Sequence, residues 1–359
     1  MPTAIPCSMR SEIAMKSAPK AHEAIEPAKQ ARATLRVEAL TVDVTVEGET
    51  VRIVDGIDFA IGPGEHVALV GESGSGKSMT ARAIMRLDRR ASLGGHVTFE
   101  EQDLLALSEP AMNRYRGSSI GMVFQDPMAS LDPLMSIGNQ VAETLRIRGV
   151  PRKAAKARAI AMLRELGVHQ AAERFASYPH EFSGGMRQRV VLAMALVGEP
   201  RLLIADEPTT ALDVRVQEQV LDVLDEISQR QKLAVLLITH DLGIVAGFAD
   251  RVLVMYAGRI VEEAPVDLLF ADPQHPYTLG LLGSIPRLGS DGDERLTAIE
   301  GMVPNPYALP PGCRFSPRCP LADARCRSEQ PQLREIGRGH RAACWKAPLD
   351  LALAGAAAS

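Results

Sequence analysis

The hydrophobic positions of this chain change their spacing several times, and each spacing predicts a type of element. Residues 35–46 alternate between apolar and polar side chains, which is typical of a strand with one buried face. Residues 151–167 instead place apolar side chains, Ala157 and Leu163 among them, along one helical stripe. Short apolar runs that predict buried strands lie at residues 51–61, 67–70, 97–99, 120–124, 202–205, 233–239 and 252–255.

Strands that alternate with helical segments favour an α/β fold with a largely parallel sheet. Near residue 285 the pattern changes, because Pro, Arg and Cys replace the periodic apolar positions. We therefore expect a main domain at residues 34–285, a small Cys-rich domain at residues 286–346 and a flexible tail at residues 347–359. Residues 1–33 lack the apolar core of a signal peptide and are predicted to be a disordered leader.

Composition narrows the function classes. The chain has 359 residues, a hydrophobic fraction of 46% and a formal net charge of −4. That fraction is ample for a buried core, and the weakly negative charge argues against nucleic acid as a main partner. No apolar run approaches the roughly 20 residues of a membrane-spanning helix. We expect a cytosolic protein that meets a membrane only through other subunits.

Residues 71–78 read Gly-Glu-Ser-Gly-Ser-Gly-Lys-Ser and fit the pattern G-x-x-x-x-G-K-[ST] at every fixed position. The glycines let the backbone curl so that its N–H groups point at phosphate oxygens, next to the start of a predicted helix. Lys77 supplies a positive charge for the β- and γ-phosphates, and Ser78 supplies a hydroxyl for Mg²⁺. The segment predicts nucleotide binding by Gly71, Glu72, Ser73, Gly74, Ser75, Gly76, Lys77, Ser78 and Met79.

Two carboxylates follow the apolar run at residues 202–205. On a buried strand, Asp206 would emerge at the carboxyl end, where open α/β sheets bind their ligands. Asp206 is therefore a candidate for Mg²⁺, directly or through water, and Glu207 is a candidate general base for an attacking water. Taken without the phosphate loop, the same residues would also suit a surface turn.

A second candidate anion site lies at Ser183, Gly184 and Gly185, at the start of a predicted helix. Ser183 can cap that helix, and the two glycines leave its first N–H groups open to a phosphate. Since one nucleotide needs a single cradle from its own subunit, the second cradle suggests the nucleotide of a partner subunit. The sequence therefore predicts a dimer.

Together these segments resemble the ATP-binding cassette (ABC) ATPases over about residues 35–285. The resemblance rests on the phosphate loop, Ser183-Gly-Gly-Met-Arg-Gln, Asp206-Glu207, Ala211-Leu212-Asp213 and Thr239-His240-Asp241, in that order. It implies a P-loop NTPase of the ABC type, with a mostly parallel sheet core, antiparallel β and helical subdomains, and a small Cys-rich C-terminal extension. It also implies a head-to-tail dimer that holds two ATP molecules between the subunits.

The resemblance implies roles for single residues as well. Gln125 looks like the residue that senses Mg²⁺ and the attacking water, and His240 resembles the switch histidine at the γ-phosphate. Asp213 resembles the dimer-interface aspartate, and Val44 stands where many members stack an aromatic ring on adenine. The implied catalytic residues are Glu207, His240, Gln125 and Lys77, and the implied Mg²⁺ ligands are Ser78, Gln125 and Asp206.

Three features resemble the oligopeptide and dipeptide importer branch: Met186 in the signature segment, the His275-Pro-Tyr277 triplet and the cysteine-rich tail. The branch implies an ATPase subunit, peripheral on the cytoplasmic face of the bacterial inner membrane. Its partners would be a second ABC ATPase subunit, identical or paralogous, two membrane permeases and an extracytoplasmic solute-binding protein. Its solutes would be peptides, or nickel, glutathione or antimicrobial peptides. The alternative is a non-transport ABC ATPase of DNA repair or the ribosome, but the long coiled-coil insertion or tandem cassettes usual there are missing from this sequence.

Residues 126–138 follow Gln125 and interleave apolar Leu131 and Leu134 with Pro and Asp. We expect this stretch to receive a short helix from each membrane subunit and to pass on the motion of the dimer.

Four of the five cysteines, Cys313, Cys319, Cys326 and Cys344, crowd the C-terminal part, and Cys7 lies in the leader. In a reducing compartment such a cluster suggests metal more than disulfides. The spacing lacks the close Cys-x-x-Cys pair of zinc ribbons, whereas four thiolates suit a [4Fe–4S] cluster, which the resemblance implies for some relatives. Zinc, with His340 as a substitute ligand, and metal-free thiols are the alternatives.

Overall fold

The computed structural model describes residues 33–209, 213–284, 299–337 and 339–349. Nearly all of the predicted leader, including Cys7, lies outside these residues, as do Ala211 and Leu212 of the ABC-like motif set. The start of the predicted Cys-rich domain and most of the predicted tail lie outside them as well.

Parallel strands form the centre of the fold. The strands of the described residues are β1 (Leu35–Val46), β2 (Glu49–Ile61), β3 (His66–Val70), β4 (Ala91–Phe99), β5 (Gln102–Asp103), β6 (Ile120–Val123), β7 (Leu202–Asp206), β8 (Ala234–Thr239), β9 (Arg251–Tyr256), β10 (Arg259–Pro265), β11 (Arg334–Gly337) and β12 (His340–Ala342). The main sheet has the order β11-β12-β10-β9-β3-β8-β7-β6, and its stretch from β9 to β6 is parallel. A second, antiparallel sheet has the order β2-β1-β4-β5.

Helices surround the main sheet. They are α1 (Lys77–Ile84), α2 (Glu109–Met112), α3 (Pro127–Ser130), α4 (Ile137–Arg146), α5 (Arg152–Glu165), α6 (Gly184–Leu196), α7 (Val214–Gln231), α8 (Leu242–Phe248), α9 (Val266–Ala271), α10 (Pro276–Gly283) and α11 (Ala324–Ser328). The mixed α/β architecture predicted from the sequence is confirmed. No helix among the described residues is both long and apolar enough to cross a membrane.

The short apolar runs are strands because both faces of the central sheet are covered. All residues of β3, β7 and β8 are buried, which explains why these strands show no alternation of polar side chains. Residues of β3 and α1 pack with the antiparallel sheet in one apolar core, whereas α4 to α7 pack with the far side of the main sheet in another.

Two details of the sequence reading are wrong. Ala157 is exposed, whereas Ala155 and Ala159 are buried together with the predicted Met162 and Leu163, so one member of the predicted apolar stripe of α5 faces solvent. Leu131, expected on a surface that receives a membrane subunit, is only 5% exposed and belongs to the core around α4 and α5. Leu134, three residues further on, is 87% exposed.

The described C-terminal residues, 299–349, pack directly against the main domain, and we call them the C-terminal extension. Its strand β12 pairs with β10, with Glu262 opposite Ala342, and so continues the main sheet. Phe315 of the extension is buried against the rings of Tyr256 and Tyr277. The boundary near residue 285 stays a prediction, since the residues around it are not described.

A buried carboxylate lies at the junction of the main domain and the extension. Glu262, on β10, is fully buried and accepts hydrogen bonds from the backbone N–H groups of Gln274 at 2.6 Å and His275 at 2.9 Å. Nε2 of His340, on β12, lies 2.7 Å from the same carboxylate. These donors replace the water that an ionised carboxylate loses on burial.

Replacing Glu262 by Ala should therefore destabilise the chain by about 3–5 kcal/mol, because three buried donors lose their acceptor at once. Urea unfolding of the full chain measures this as a fall in the transition midpoint. Glu329→Ala is the matched control, since that carboxylate is exposed and pairs with Arg325 one helical turn away; its cost should be about 0.3–0.5 kcal/mol. Equal midpoints for the two variants would contradict the assigned role of Glu262.

Candidate functional site

The phosphate loop lies between β3 and α1, as the sequence predicts. The loop turns away from β3 at Gly71, where φ is +151° and a Cβ atom would lie 2.2 Å from the carbonyl oxygen of Met255. It enters α1 at Gly76, where φ is +107° and a Cβ atom would lie 2.8 Å from the Met255 side chain. At Gly71 a side chain would collide with the backbone of β9, so close packing as well as the backbone conformation requires glycine there. At Gly76 the positive φ favours glycine, since the Met255 side chain could move away.

Lys77 occupies the inside of this loop. Its ammonium donates hydrogen bonds to the carbonyl oxygens of Gly71 at 2.7 Å and Glu72 at 2.9 Å. Burial lowers the pKa of Lys77, and the nearby carboxylates of Glu207, Asp206 and Glu72 oppose that effect. The side chain therefore places a desolvated positive charge where the sequence predicts phosphate oxygens, and there electrostatic attraction is stronger than in water.

Ser78 and Asp206 come together across the carboxyl edge of the sheet. The Ser78 hydroxyl donates to Oδ1 of Asp206 at 2.9 Å, although the two residues are 128 positions apart. Asp206 is the last residue of β7 and is buried, and this burial raises the pKa of its carboxyl. A hydroxyl and a carboxylate oxygen held side by side are ligands that suit Mg²⁺, and a bound cation would offset the cost of the buried charge.

Glu207 lies beside this pair, between two other predicted residues. Nε2 of Gln125 donates to one carboxylate oxygen of Glu207 at 3.1 Å, and Nδ1 of His240 lies 3.2 Å from the other. The backbone of Glu207 is in the left-handed region, with φ at +48°, and its N–H donates to the carbonyl oxygen of Ile238 at 2.9 Å. That unusual conformation, fixed by a bond to β8, turns the carboxylate towards Gln125 and His240.

The structure thus brings residues from four separate segments to one edge of the main sheet. They are Lys77 and Ser78 after β3, Gln125 after β6, Asp206 and Glu207 at the end of β7, and His240 after β8. Together they offer a buried cation, a hydroxyl next to a carboxylate, and a second carboxylate in contact with Gln125 and His240. Such a set can bind a polyphosphate and a divalent cation and can take a proton from a bound water.

The second predicted cradle lies at the start of α6. Ser183 is the N-cap, and its hydroxyl accepts from the backbone N–H of Met186 at 3.4 Å. Ser183 and Gly184 are exposed, whereas a Cβ atom at Gly185 would lie 2.5 Å from Val216 of α7. Asp213 in turn caps α7, accepting from the N–H of Val216 at 3.0 Å. Two capped helix starts are therefore packed side by side, with open N–H groups on α6.

Val44 is half-buried on β1 and packs against the apolar core of the antiparallel sheet. A contact of this side chain with adenine stays a prediction.

The four C-terminal cysteines line one small cavity. They share it with His275, Phe315, Pro331 and Trp345, and all four thiols are free of disulfide bonds. Burial raises the pKa of Cys319 to about 12 and also raises the pKa of Cys313 and Cys344. Burial therefore favours the neutral form of these three thiols.

No group of three or more His, Cys, Asp or Glu side chains in the described part of the chain is arranged to hold a metal ion. His340, expected as a substitute zinc ligand, is not among the residues of this cavity and instead contacts Glu262. Four thiols line one cavity, but in the described part of the chain they are not arranged as a metal site.

Sequence reasoning missed two side chains at the phosphate loop. Tyr277, noticed only as part of a triplet, accepts a hydrogen bond from the backbone N–H of Glu72 at 2.7 Å. Arg318, which lies between two of the cysteines, forms an ion pair with the Glu72 carboxylate. The sequence offers a weak signal for Tyr277 and none for Arg318, because these contacts span 205 and 246 positions.

Comparisons with known proteins agree with this geometry. The family model described as "ABC transporter" matches residues 54–210, and the model "Oligopeptide/dipeptide transporter, C-terminal region" matches residues 261–326. A dimeric structure of the ATP-binding cassette MJ0796, in a post-hydrolysis state bound to ADP and Pi, is 28% identical with a TM-score of 0.59. The alignment covers 65% of this chain and 98% of that one.

Curated relatives are more similar in sequence. The oligopeptide transport ATP-binding protein OppD of Mycobacterium tuberculosis is 49% identical over 318 residues, which is 88% of this chain and 52% of that protein. AppD of Bacillus subtilis, another oligopeptide transport ATP-binding protein, is 48% identical over 301 residues, or 83% of this chain and 92% of that protein. The chain spans about half the length of the mycobacterial relative and nearly all of the Bacillus one.

Proposed function

This chain belongs to the ABC transporter family, and we propose that it is the ATP-hydrolysing subunit of a multi-subunit importer of peptides or related solutes. The observation that carries the proposal is the contact of Glu207 with both Gln125 and His240, beside the Ser78–Asp206 pair and Lys77. The match to the oligopeptide/dipeptide transporter C-terminal region and the names of the curated relatives support a transport ATPase rather than a DNA-repair or ribosome-associated ATPase.

In the proposed reaction, the loop residues Gly71 to Met79 bind the triphosphate of ATP through backbone N–H groups and the Lys77 ammonium. Lys77 exchanges its bonds to the loop carbonyls for bonds to the β- and γ-phosphates. Ser78, Asp206 and Gln125 would hold Mg²⁺, which supplies positive charge to the phosphate oxygens.

Glu207 is proposed to act as the general base. Its carboxylate takes a proton from the attacking water, and Gln125 and His240 orient that water and the γ-phosphate. The products are ADP and phosphate. Gln125 and His240 already hold the Glu207 carboxylate from opposite oxygens, so the base is oriented before the nucleotide binds.

The exposed start of α6 is proposed to bind the nucleotide of a second ABC ATPase subunit, either a copy of this chain or a paralogue. Ser183, Gly184 and Gly185 would contact the γ-phosphate held by the partner's loop, and Asp213 would lie at the interface. Each γ-phosphate then bridges two subunits, so hydrolysis removes the bridge and reopens the dimer.

The remaining partners are proposed from the relatives. Two membrane permeases would receive the motion of the dimer at residues 126–138, where Leu134 is 87% exposed. An extracytoplasmic solute-binding protein would deliver the peptide, nickel or glutathione. The chain would then be peripheral on the cytoplasmic face of the bacterial inner membrane and contact the bilayer only through the permeases.

For the four cysteines we propose a [4Fe–4S] cluster, with zinc as the alternative and free thiols as the third state. The proposal is supported by the shared cavity of the four thiols and by its apolar lining of Pro276, Phe315 and Pro331, which limits access of water. Bound iron or zinc would stabilise the thiolate forms of Cys313, Cys319 and Cys344, which burial disfavours. A metal would also cross-link a segment with few apolar residues of its own.

Glu207→Gln should reduce kcat for ATP hydrolysis by about 10²–10⁴-fold, because the amide cannot accept the proton, while MgATP binding persists. An ATP-bound dimer should accumulate, and size-exclusion chromatography with MgATP detects it. Glu101→Gln, in the exposed turn before β5, is the matched control and should keep full activity. Undiminished hydrolysis in Glu207→Gln would exclude Glu207 as the base.

Leu134→Asp should prevent assembly with the permease subunits, because it puts a charge on the exposed apolar side chain of the proposed contact. ATP binding should be unaffected. Co-purification with the permeases in detergent measures assembly, and Ile147→Asp, a change at an 80% exposed site after α4, serves as the control. Normal assembly of the Leu134 variant would place the contact elsewhere.

Purification of the chain without oxygen should give a broad absorption band near ~400 nm and about four irons per chain, if a cubane cluster is bound. Iron, sulfide and zinc assays distinguish the cluster from zinc. Cys326→Ser should lose the metal, whereas Ser328→Ala, an exposed position on the same helix, should keep it. A metal-free chain would leave the cysteines as thiols.

A further inference from the structure

The C-terminal extension makes a direct, charged contact with the phosphate loop. Nη1 and Nη2 of Arg318 donate to the two carboxylate oxygens of Glu72, at 2.7 and 3.0 Å. The Arg318 side chain is only 5% exposed, whereas that of Glu72 is 27% exposed. A bidentate ion pair with one almost fully buried partner constrains the geometry of the two side chains more than a surface ion pair does.

Arg318 is held in place by its own segment. Nε donates to the carbonyl oxygen of Glu300 at 2.9 Å, and Nη2 also donates to that of Ile299 at 3.1 Å. Its guanidinium lies over the ring of Tyr256, 5.8 Å from the centroid. These contacts outside the phosphate loop hold the guanidinium in position beside Glu72.

Tyr277 holds the backbone of the same loop residue. Its hydroxyl accepts from the N–H of Glu72 at 2.7 Å, and its ring is fully buried between the rings of Tyr256 and Phe315. His275 orients Tyr277, because Nδ1 of the imidazole accepts from the Tyr277 backbone N–H at 3.1 Å. The His-Pro-Tyr triplet thus joins the phosphate loop to the surface on which the extension packs.

The charge of Glu72 explains why such a contact matters. Glu72 is a loop residue, and its carboxylate is one of the charges that act on Lys77. An unpaired carboxylate on the loop that binds the phosphates would repel them and would compete with them for Lys77. Arg318 neutralises the Glu72 carboxylate through its guanidinium.

We propose that Arg318, together with Tyr277, is a positioning residue of the nucleotide site, which pins Glu72 and cancels its charge so that the loop accepts the triphosphate. The C-terminal extension is then part of the ATP site of its own subunit. The inference rests on the proposed ATP binding by this loop. Because Gln125, Glu207 and His240 lie on other segments, the contact governs affinity for MgATP more than the rate of the chemical step.

The test compares Arg318→Ala with the unmodified full chain by steady-state ATP hydrolysis and by direct MgATP titration. KM and Kd should rise roughly tenfold, as an uncompensated charge near the phosphates implies, while kcat stays within about threefold. Arg318→Lys keeps the charge but loses the bidentate geometry, and its KM should be intermediate. Arg327→Ala removes an exposed arginine from the same extension and should change nothing.

Testing Arg318→Ala in a chain that already carries Glu72→Gln distinguishes neutralisation of the Glu72 charge from a purely structural role of Arg318. In a chain that already carries Glu72→Gln, adding Arg318→Ala should change KM by less than about twofold, because no carboxylate is left to neutralise. An equal rise in KM in both backgrounds would overturn the proposal, and so would an unchanged KM in the single variant. If Arg318→Ala fails to fold, the comparison of Arg318→Lys in the two backgrounds decides in the same way.

Failure of the proposed function would look different. If the unmodified chain neither bound MgATP nor hydrolysed it, the function itself would be wrong. If it bound MgATP normally and the Arg318 variants matched it, only the role of Arg318 would be wrong.

Discussion

The parallel pairing of β3 with β8 and β9, and of β8 with β7, is the constraint on which the site depends. Parallel strands end at the same edge of a sheet, so the sheet topology alone brings together the loops that follow them. The phosphate loop, the two carboxylates after β7 and His240 after β8 are brought together in this way. Full burial of these strands makes their register hard to change, and it therefore fixes the distances among the side chains at their ends.

Much of the fold and site is predictable from the sequence, because short motifs encode local chemistry. The glycines of the phosphate loop are needed for the backbone path, and the apolar runs before it and before Asp206 predict buried strands. The helix start at Ser183 is also predictable, since the cap is formed within three residues. The family resemblance then places Gln125 and His240 beside Glu207, and the structure has them in contact with it.

The remaining features depend on contacts that no local pattern contains. The burial of Leu131 is decided by the packing of α4 and α5, which the alternation of apolar and polar residues around it does not reveal. His340 is paired with a carboxylate on β10, 78 positions away, rather than with the cysteines nearer to it in sequence. Arg318 reaches the phosphate loop from the extension, and Tyr277 reaches it from α10. Long-range polar contacts of this kind are set by topology.

The pairing of β12 with β10 has a consequence for the solubility of the chain. Without the extension, β10 would be an open edge of the main sheet, and its unpaired backbone groups would offer a template for strands of other molecules. With the extension, the outermost strand is β11, only four residues long, mostly exposed, and carrying Arg334 and Glu335 before its terminal glycine. Short length and charge are the usual protection of a sheet edge against aggregation. The extension, which contacts the phosphate loop, thus also covers an edge of the main sheet that would otherwise favour aggregation.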